Sequence, residues 1–139
     1  MIGRDTRQVF CHVGGAGAGH AVKIIDQVIV ELTIEAVAEA LTLADKSGVE
    51  PRLVQQALQG GFADSKILQI HGTRMIQRAY EPGGKAKRQL KDSQLAVELA
   101  ASVSAKLPHL GSTLAVYKKL IAQGDGKLDH SAVHKLLWQ

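Results

Sequence analysis

The segment Gly14-Gly15-Ala16-Gly17-Ala18-Gly19-His20-Ala21-Val22-Lys23 puts a basic side chain at the start of a long apolar run. Glycines let a backbone come close to another group, and the lysine just beyond them carries an amine that can exchange a proton. As a structural residue, Lys23 would lay its stem along the helix and leave the ammonium in water. As a chemical residue it would be a general acid or base. The positive end of a helix dipole disfavours an ammonium, which suits the second role. The glycines themselves are not a nucleotide loop. A dinucleotide fingerprint needs G-x-G-x-x-G, whereas Gly15, Gly17 and Gly19 simply alternate. No Ser or Thr follows Lys23, so a phosphate-cradling P-loop is excluded as well. Close packing of a turn against another domain is the simpler use of these glycines.

The elements that position this lysine follow from composition. A chain of 139 residues is enough for one domain with a core. Aromatic residues are only 4%, so the core is built from Leu, Ile, Val and Ala, which suits packed helices. The net charge of +4, from 17 basic and 13 acidic residues, is well short of a nucleic-acid-binding footprint. A single cysteine, Cys11, excludes an internal disulfide framework and two-cysteine zinc motifs, and it suits a reducing, cytoplasmic setting. No signal peptide is expected after Met1. The most apolar segment, 24–44, carries Asp26, Glu31, Glu35 and Glu39, which argues against a membrane span. The six histidines have no metal-ligand spacing with other ligands, so no metal is assigned.

Along the chain, Val9-Phe10-Cys11-His12-Val13 reads as a strand with no partner in the sequence, and single strands do not stand alone. From Ala18 to Lys46 the pattern is helical; no breaker interrupts it before Gly48. Lys23, Gln27, Glu31, Glu35 and Glu39 recur every fourth residue as a narrow polar stripe on an otherwise apolar helix. Such a helix is buried on several sides and should be the centre of the domain. Further helices are expected from Pro51 to Gln59, from a cap at Asp64 or Ser65 to Gln77, from Lys85 to Lys106, from Pro108 to Ala122, and from a cap at Asp129 to Trp138. The fold class is all-α around one long central helix, preceded by a stray strand.

Several of these motifs resemble one known family. Gly17-Ala18-Gly19-His20-Ala21-Val22-Lys23 is similar to the G-x-G-x-x-x-K segment of the β-hydroxyacid dehydrogenases, the family of 3-hydroxyisobutyrate dehydrogenase and tartronate semialdehyde reductase. Ala38-Glu39-Ala40-Leu41-Thr42-Leu43-Ala44 resembles the A-E-A-L-x-L-A stretch of its long helix. Pro82-Gly83 followed by Leu90-Lys91-Asp92 resembles its P-G…L-x-K-D element. Leu107-Pro108 and Gly124-x-Gly126-x-x-Asp129-His130-Ser131 resemble its closing helices. The likeness spans nearly the whole chain in order and spacing.

The resemblance implies that residues 1–14 are the end of a dinucleotide-binding Rossmann domain and residues 15–139 the helical catalytic and dimerisation domain. It implies reversible oxidation of a 3-hydroxy acid to a semialdehyde, with NAD or NADP as cofactor, bound mostly by the preceding domain. Lys23 matches the catalytic lysine. Asp26 and Gln27 fall where the family places substrate-orienting amides; Gln27 keeps an amide, and Asp26 stands where Asn is usual. Its carboxylate either pairs with Lys23 or turns into the helix packing. Lys91 matches a lysine near the nicotinamide end of the cofactor. The expected partners are a small 3-hydroxy acid and a second copy of the chain, with apolar surface around Ile24, Ile25 and Val28 exposed; no nucleic acid or membrane is expected. Alone, this half should be inactive. The competing reading is a small basic helical module that binds an acidic partner or nucleic acid through Lys85, Lys87, Arg88 and Lys91.

Overall fold

A 29-residue helix, α1 (Ala18–Lys46), touches every other element and is the axis of the domain. In this computed structural model residues 13–138 are described. The strand expected at Val9–Val13 lies outside the described residues except for Val13, which has no regular structure, and so does most of the expected 1–14 remnant. Four further α-helices follow: α2 (Pro51–Leu58), α3 (Lys66–Gln77), α4 (Ala86–Ser102) and α5 (Pro108–Ala122). A 3₁₀ helix, His130–Leu136, closes the chain. Among the described residues there is no sheet, only one isolated bridge between Lys85 and Asp129.

Local chemistry explains the boundaries. Gly17, at φ 89°, adopts the left-handed conformation that turns the chain into α1. At the other end the Val49 amide donates to Ala44 O and the Gly48 amide to Asp45 O, with Gly48 at φ 76°, a Schellman closure. Of the two cap candidates before α3, Ser65 is the cap: its Oγ accepts from the Leu68 amide at 2.9 Å. Asp64 instead ties the preceding turn, accepting from the Gly60 amide and from Gln69. Helix α4 ends four residues before the expected Lys106. Ser104 takes the left-handed position at φ 56° and the Ala105 amide returns to Ala100 O, so the stop is made without a glycine. The final helix is 3₁₀, with Asp129 as its cap through the Ser131 amide.

The main core joins Ile34, Val37, Ala38 and Leu41 of α1 to Leu68, Met75, Tyr117, Leu120 and Val133 from α3, α5 and the 3₁₀ helix. A smaller cluster, Ile24, Ala96 and Leu110, holds the first half of α1 against α4 and α5. Ile24 is therefore buried rather than exposed, because it fills the gap between those two helices. Val22, Ile25 and Ile29 do remain uncovered, at 45%, 53% and 62% exposure. The polar stripe of α1 is exposed at its ends, Lys23 and Glu39, but its middle is not solvated. Glu31 is fully buried, accepting from Gln89 and Ser93 of α4, and Glu35 accepts from Thr113 of α5 at 3.0 Å. Burial raises both carboxyls above their usual range.

Burial acts the opposite way on two histidines and pulls His130 and His134 down to about 4. In the unfolded chain each titrates near 6.5. Between these values the unfolded state binds more protons, so stability is lost as pH falls through that window. Glu31 and Glu35 oppose the loss, because the native state holds their protons to higher pH than the unfolded state does. His134→Gln removes one of the two histidines, and the pH dependence of the urea midpoint between pH 6.5 and 4 should become shallower. An unchanged slope in equilibrium unfolding would show that His134 does not titrate this way.

Candidate functional site

One cleft of about 440 Å³ opens where three helices and a loop converge. Lys23 and Gln27, one turn apart on α1, form one wall. His71 and Arg74 on α3 face them, again at helical spacing. Arg88, Gln89 and Asp92 of α4 form the third side, and Gly83, Gly84 and Lys85 the loop leading into it. His130 lies at the junction with the 3₁₀ helix. A narrower groove of about 60 Å³ adjoins, lined by His20 and Leu95 as well as Lys23, Gln27 and Asp92.

The site is organised by a buried carboxylate. Asp129 is wholly inaccessible, and its oxygens accept from the Gly83, Gly84 and Ser131 amides, the Ser131 hydroxyl and Arg74 Nη1 at 2.9 Å. Burial alone would push this carboxyl up, making it a weaker acid, but the His71 ring, the Ser131 hydroxyl and amide, and the Gly84 amide together hold it well below the usual carboxylate range. Arg74 also donates to Glu81 O, and backbone bonds from Asp129 to Tyr80 O, His130 to Gly84 O and Ala86 to Leu128 O clasp the two loops together.

A chain of polar contacts runs from this carboxylate into the core. His71 Nδ1 is 3.4 Å from Asp129 Oδ1, and its Nε2 is 3.3 Å from Nε2 of His130. His130 Nδ1 is 3.0 Å from Gln89 Oε1, and Gln89 Nε2 donates to Glu31 at 3.2 Å. Ligand atoms of His71, Asp129 and His130 lie within 4.8 Å of one another, as metal ligands would. The oxygens of Asp129 already meet five donors and His130 Nδ1 meets Gln89, while His71 Nδ1 makes no hydrogen bond.

The expected site residues separate on this geometry. Lys23 and Gln27 line the cleft. The helix begins at Ala18, which puts Lys23 in the second turn, beyond the reach of the dipole at the helix start. Asp26 does neither of the two things open to it: it is exposed, has no ion pair with Lys23, and accepts from the Gln27 side chain at 3.1 Å. Lys91 is exposed on α4 and does not line the cleft, although its neighbour Asp92 does. The four basic residues of the competing reading divide: Lys85 and Arg88 line the cleft and Lys87 and Lys91 do not. His71 and Arg74 escaped sequence reasoning, as did the placement of Lys85 and Arg88. The available signal was spacing: His71 with Arg74 and Arg88 with Asp92 each share a helix face, as Lys23 and Gln27 do.

Residues 17–137 match the family described as the NAD-binding domain of NADP-dependent 3-hydroxyisobutyrate dehydrogenase. This chain belongs to that family. It is 45% identical over 125 residues to the 2-hydroxy-3-oxopropionate reductase of Escherichia coli, covering 90% of this chain and 43% of that protein. A 3-hydroxyisobutyrate dehydrogenase structure from Mycobacterium tuberculosis, with L-serine, superposes with a TM-score of 0.84 at 26% identity, over 93% of this chain and 46% of that one. The corresponding Salmonella typhimurium enzyme gives 0.81 at 28% identity, over 86% and 42%. The chain thus spans less than half the length of these relatives. It has the all-α fold expected from its sequence, and the family to which it belongs is one of NAD(P)-dependent oxidoreductases. Among the described residues no helix is long and apolar enough to cross a membrane.

The buried carboxylate makes Arg74 a structural requirement of the cleft. Arg74→Met leaves Asp129 inaccessible and without its cation, and losing one partner of a buried pair costs roughly 3–5 kcal/mol. Arg74 is partly exposed, so the lower end of that range is expected. Urea denaturation checks this, and a loss under about 1 kcal/mol would mean that the backbone amides alone suffice for Asp129.

Proposed function

We propose that this chain is the helical half of an NAD(P)-dependent 3-hydroxy acid dehydrogenase, with residues 1–14 as the end of a cofactor domain and 15–139 as the catalytic and dimerisation domain. The observation that carries this reading is the pairing of Lys23 with Gln27 on one wall of a cationic cleft. In its neutral form, Lys23 Nζ accepts the substrate hydroxyl proton as the carbon–hydrogen bond breaks; in the reverse direction its ammonium returns a proton to the forming alkoxide. Gln27, one turn on, orients the hydroxy acid, its amide in turn held by the Asp26 carboxylate. Asp26 therefore contributes through Gln27 rather than by touching substrate.

The residues present fit the cofactor class. The cleft is bordered by cations, and Lys91, exposed on α4 outside the cleft lining, would be a further charge toward the cofactor. When bound, NAD(P) supplies the acceptor for the hydride and its two electrons. Most of the binding energy for it would come from a cofactor domain, so the helical half is inactive by itself. The uncovered Val22, Ile25 and Ile29 favour a homo-oligomer in which this face is shared.

Two measurements test the reading. With NAD or NADP and L-serine, 3-hydroxyisobutyrate or glycerate, this chain should give no reduced nicotinamide by absorbance, whereas joined to a cofactor domain it should turn over, and Lys23→Ala should then lower kcat by about 10²–10⁴-fold. Turnover by the helical half alone, or a Lys23→Ala enzyme within a few-fold of wild type, would contradict it. Light scattering should find a dimer or larger species at high concentration; a strict monomer counts against the oligomer.

A further inference from the structure

The charge of the cleft exceeds what a simple 3-hydroxy acid needs. Four cations line it: Lys23, Arg74, Lys85 and Arg88. Arg74 is already matched by Asp129 at 2.9 Å. Lys23, Lys85 and Arg88 have no ion pair with any described residue, and the lining offers them one carboxylate, Asp92. His130, held down to about 4, is neutral near pH 7 and adds no charge. Three unpaired cations against one carboxylate leave an excess of two positive charges. A monocarboxylate would balance only one of them.

The loop beside these cations is closely backed. Gly83 and Gly84 have no positive φ, so their backbone does not demand glycine. A Cβ on Gly83 would sit 3.0 Å from Arg74 Nη2, and one on Gly84 would sit 3.3 Å from the His130 ring, so a side chain at either position would press on groups that line the cleft. A guanidinium presents a planar fork that suits a carboxylate or phosphate, and the lysine adds a point charge.

We propose that the substrate is a hydroxy acid carrying a second oxyanion group, a carboxylate or a phosphate, and that Arg88 and Lys85 are the residues that select it. The proposal rests on the reading of this cleft as the substrate site, with Lys23 at its reacting end. Neither Arg88 nor Lys85 takes part in proton transfer; they read charge at the far end of the ligand and exclude molecules that leave their cations unmatched.

The test is binding to this chain at low ionic strength, followed by NMR titration and calorimetry. Malate and 3-hydroxybutyrate form a matched pair, identical except that a carboxylate replaces a methyl group. Malate should bind at least tenfold more tightly. Arg88→Gln and Lys85→Gln should each bring that ratio towards one, while Lys87→Gln, on the same helix but outside the cleft, should leave it unchanged. Inorganic phosphate should compete with malate. Equal affinities, including no detectable binding of malate, overturn the proposal. So does a ratio that falls equally with Lys87→Gln, which would be general surface attraction. If NADP shifts the Arg88 resonances and malate does not, the cations read the cofactor phosphates and the proposal also falls. Lys23→Ala should keep the preference for malate. Were the joined enzyme to keep full turnover without Lys23 while that preference persisted, the proton-transfer reading would fail and this one would stand.

Discussion

The arrangement depends on one buried carboxylate. Asp129 gathers donors from the 83–84 loop, from α3 through Arg74 and from the first turn of the 3₁₀ helix. These segments are far apart in sequence, and the 83–84 loop itself adds no side chain to the core that α3 and the 3₁₀ helix share. Charge-assisted hydrogen bonds are stronger and more directional than neutral ones, and a carboxylate sunk out of water cannot exchange them for solvent. Satisfying Asp129 therefore fixes the position of the loop, and with it the start of α4 and the directions from which Lys85 and Arg88 approach the cleft. His71 and Arg74 are held on the same anchor. A wall with charged side chains would otherwise be mobile; here its members share one acceptor.

The same logic governs α1. Its polar stripe enters the interior, where Glu31 meets Gln89 and Ser93 and Glu35 meets Thr113. Burying a carboxyl is unfavourable, and both groups answer by holding their protons more tightly. What these contacts secure is rotation. An apolar helix surrounded by apolar neighbours can turn about its axis at small cost, whereas Glu31 must face α4. Lys23 and Gln27 lie two turns and one turn before Glu31, so the contact that orients Glu31 also points them at the cleft.

Much of this was legible in the sequence, and the failures have physical causes. The bounds of α1 and α5 followed from a glycine before or after one helix and a proline opening the other. The end of α4 did not, because Ser104 adopts a conformation for which glycine is the usual signal. The Lys23–Gln27 pairing was readable from helical spacing together with a family likeness. Arg74, His71 and Arg88 were not, since their importance arises from α3 and α4 lining opposite sides of one cleft, which no local pattern encodes. The polar stripe on α1 was visible, but whether it faced water or protein depended on Gln89, Ser93 and Thr113, residues ordinary enough to pass unremarked.

Support along α1 is uneven, and this bears on how the site is completed. The main core gathers on its second half, from Ile34 to Leu41, packed by α3, α5 and the 3₁₀ helix. The first half has a smaller cluster, Ile24 with Ala96 and Leu110 flanked by the half-buried Val28, Leu95 and Leu99, while Val22, Ile25 and Ile29 are left uncovered. Regions with few buried contacts open at lower free energy than the core. The end that carries Lys23 and Gln27 is thus the less supported end, and it begins at Gly17, whose left-handed turn aims the preceding chain. A second surface laid against Val22, Ile25 and Ile29 would remove apolar area from water and restrain the same turns that carry Lys23 and Gln27. Covering that face and ordering the wall that carries Lys23 and Gln27 would then be a single event, which gives a physical reason for the proposed chemistry to await assembly.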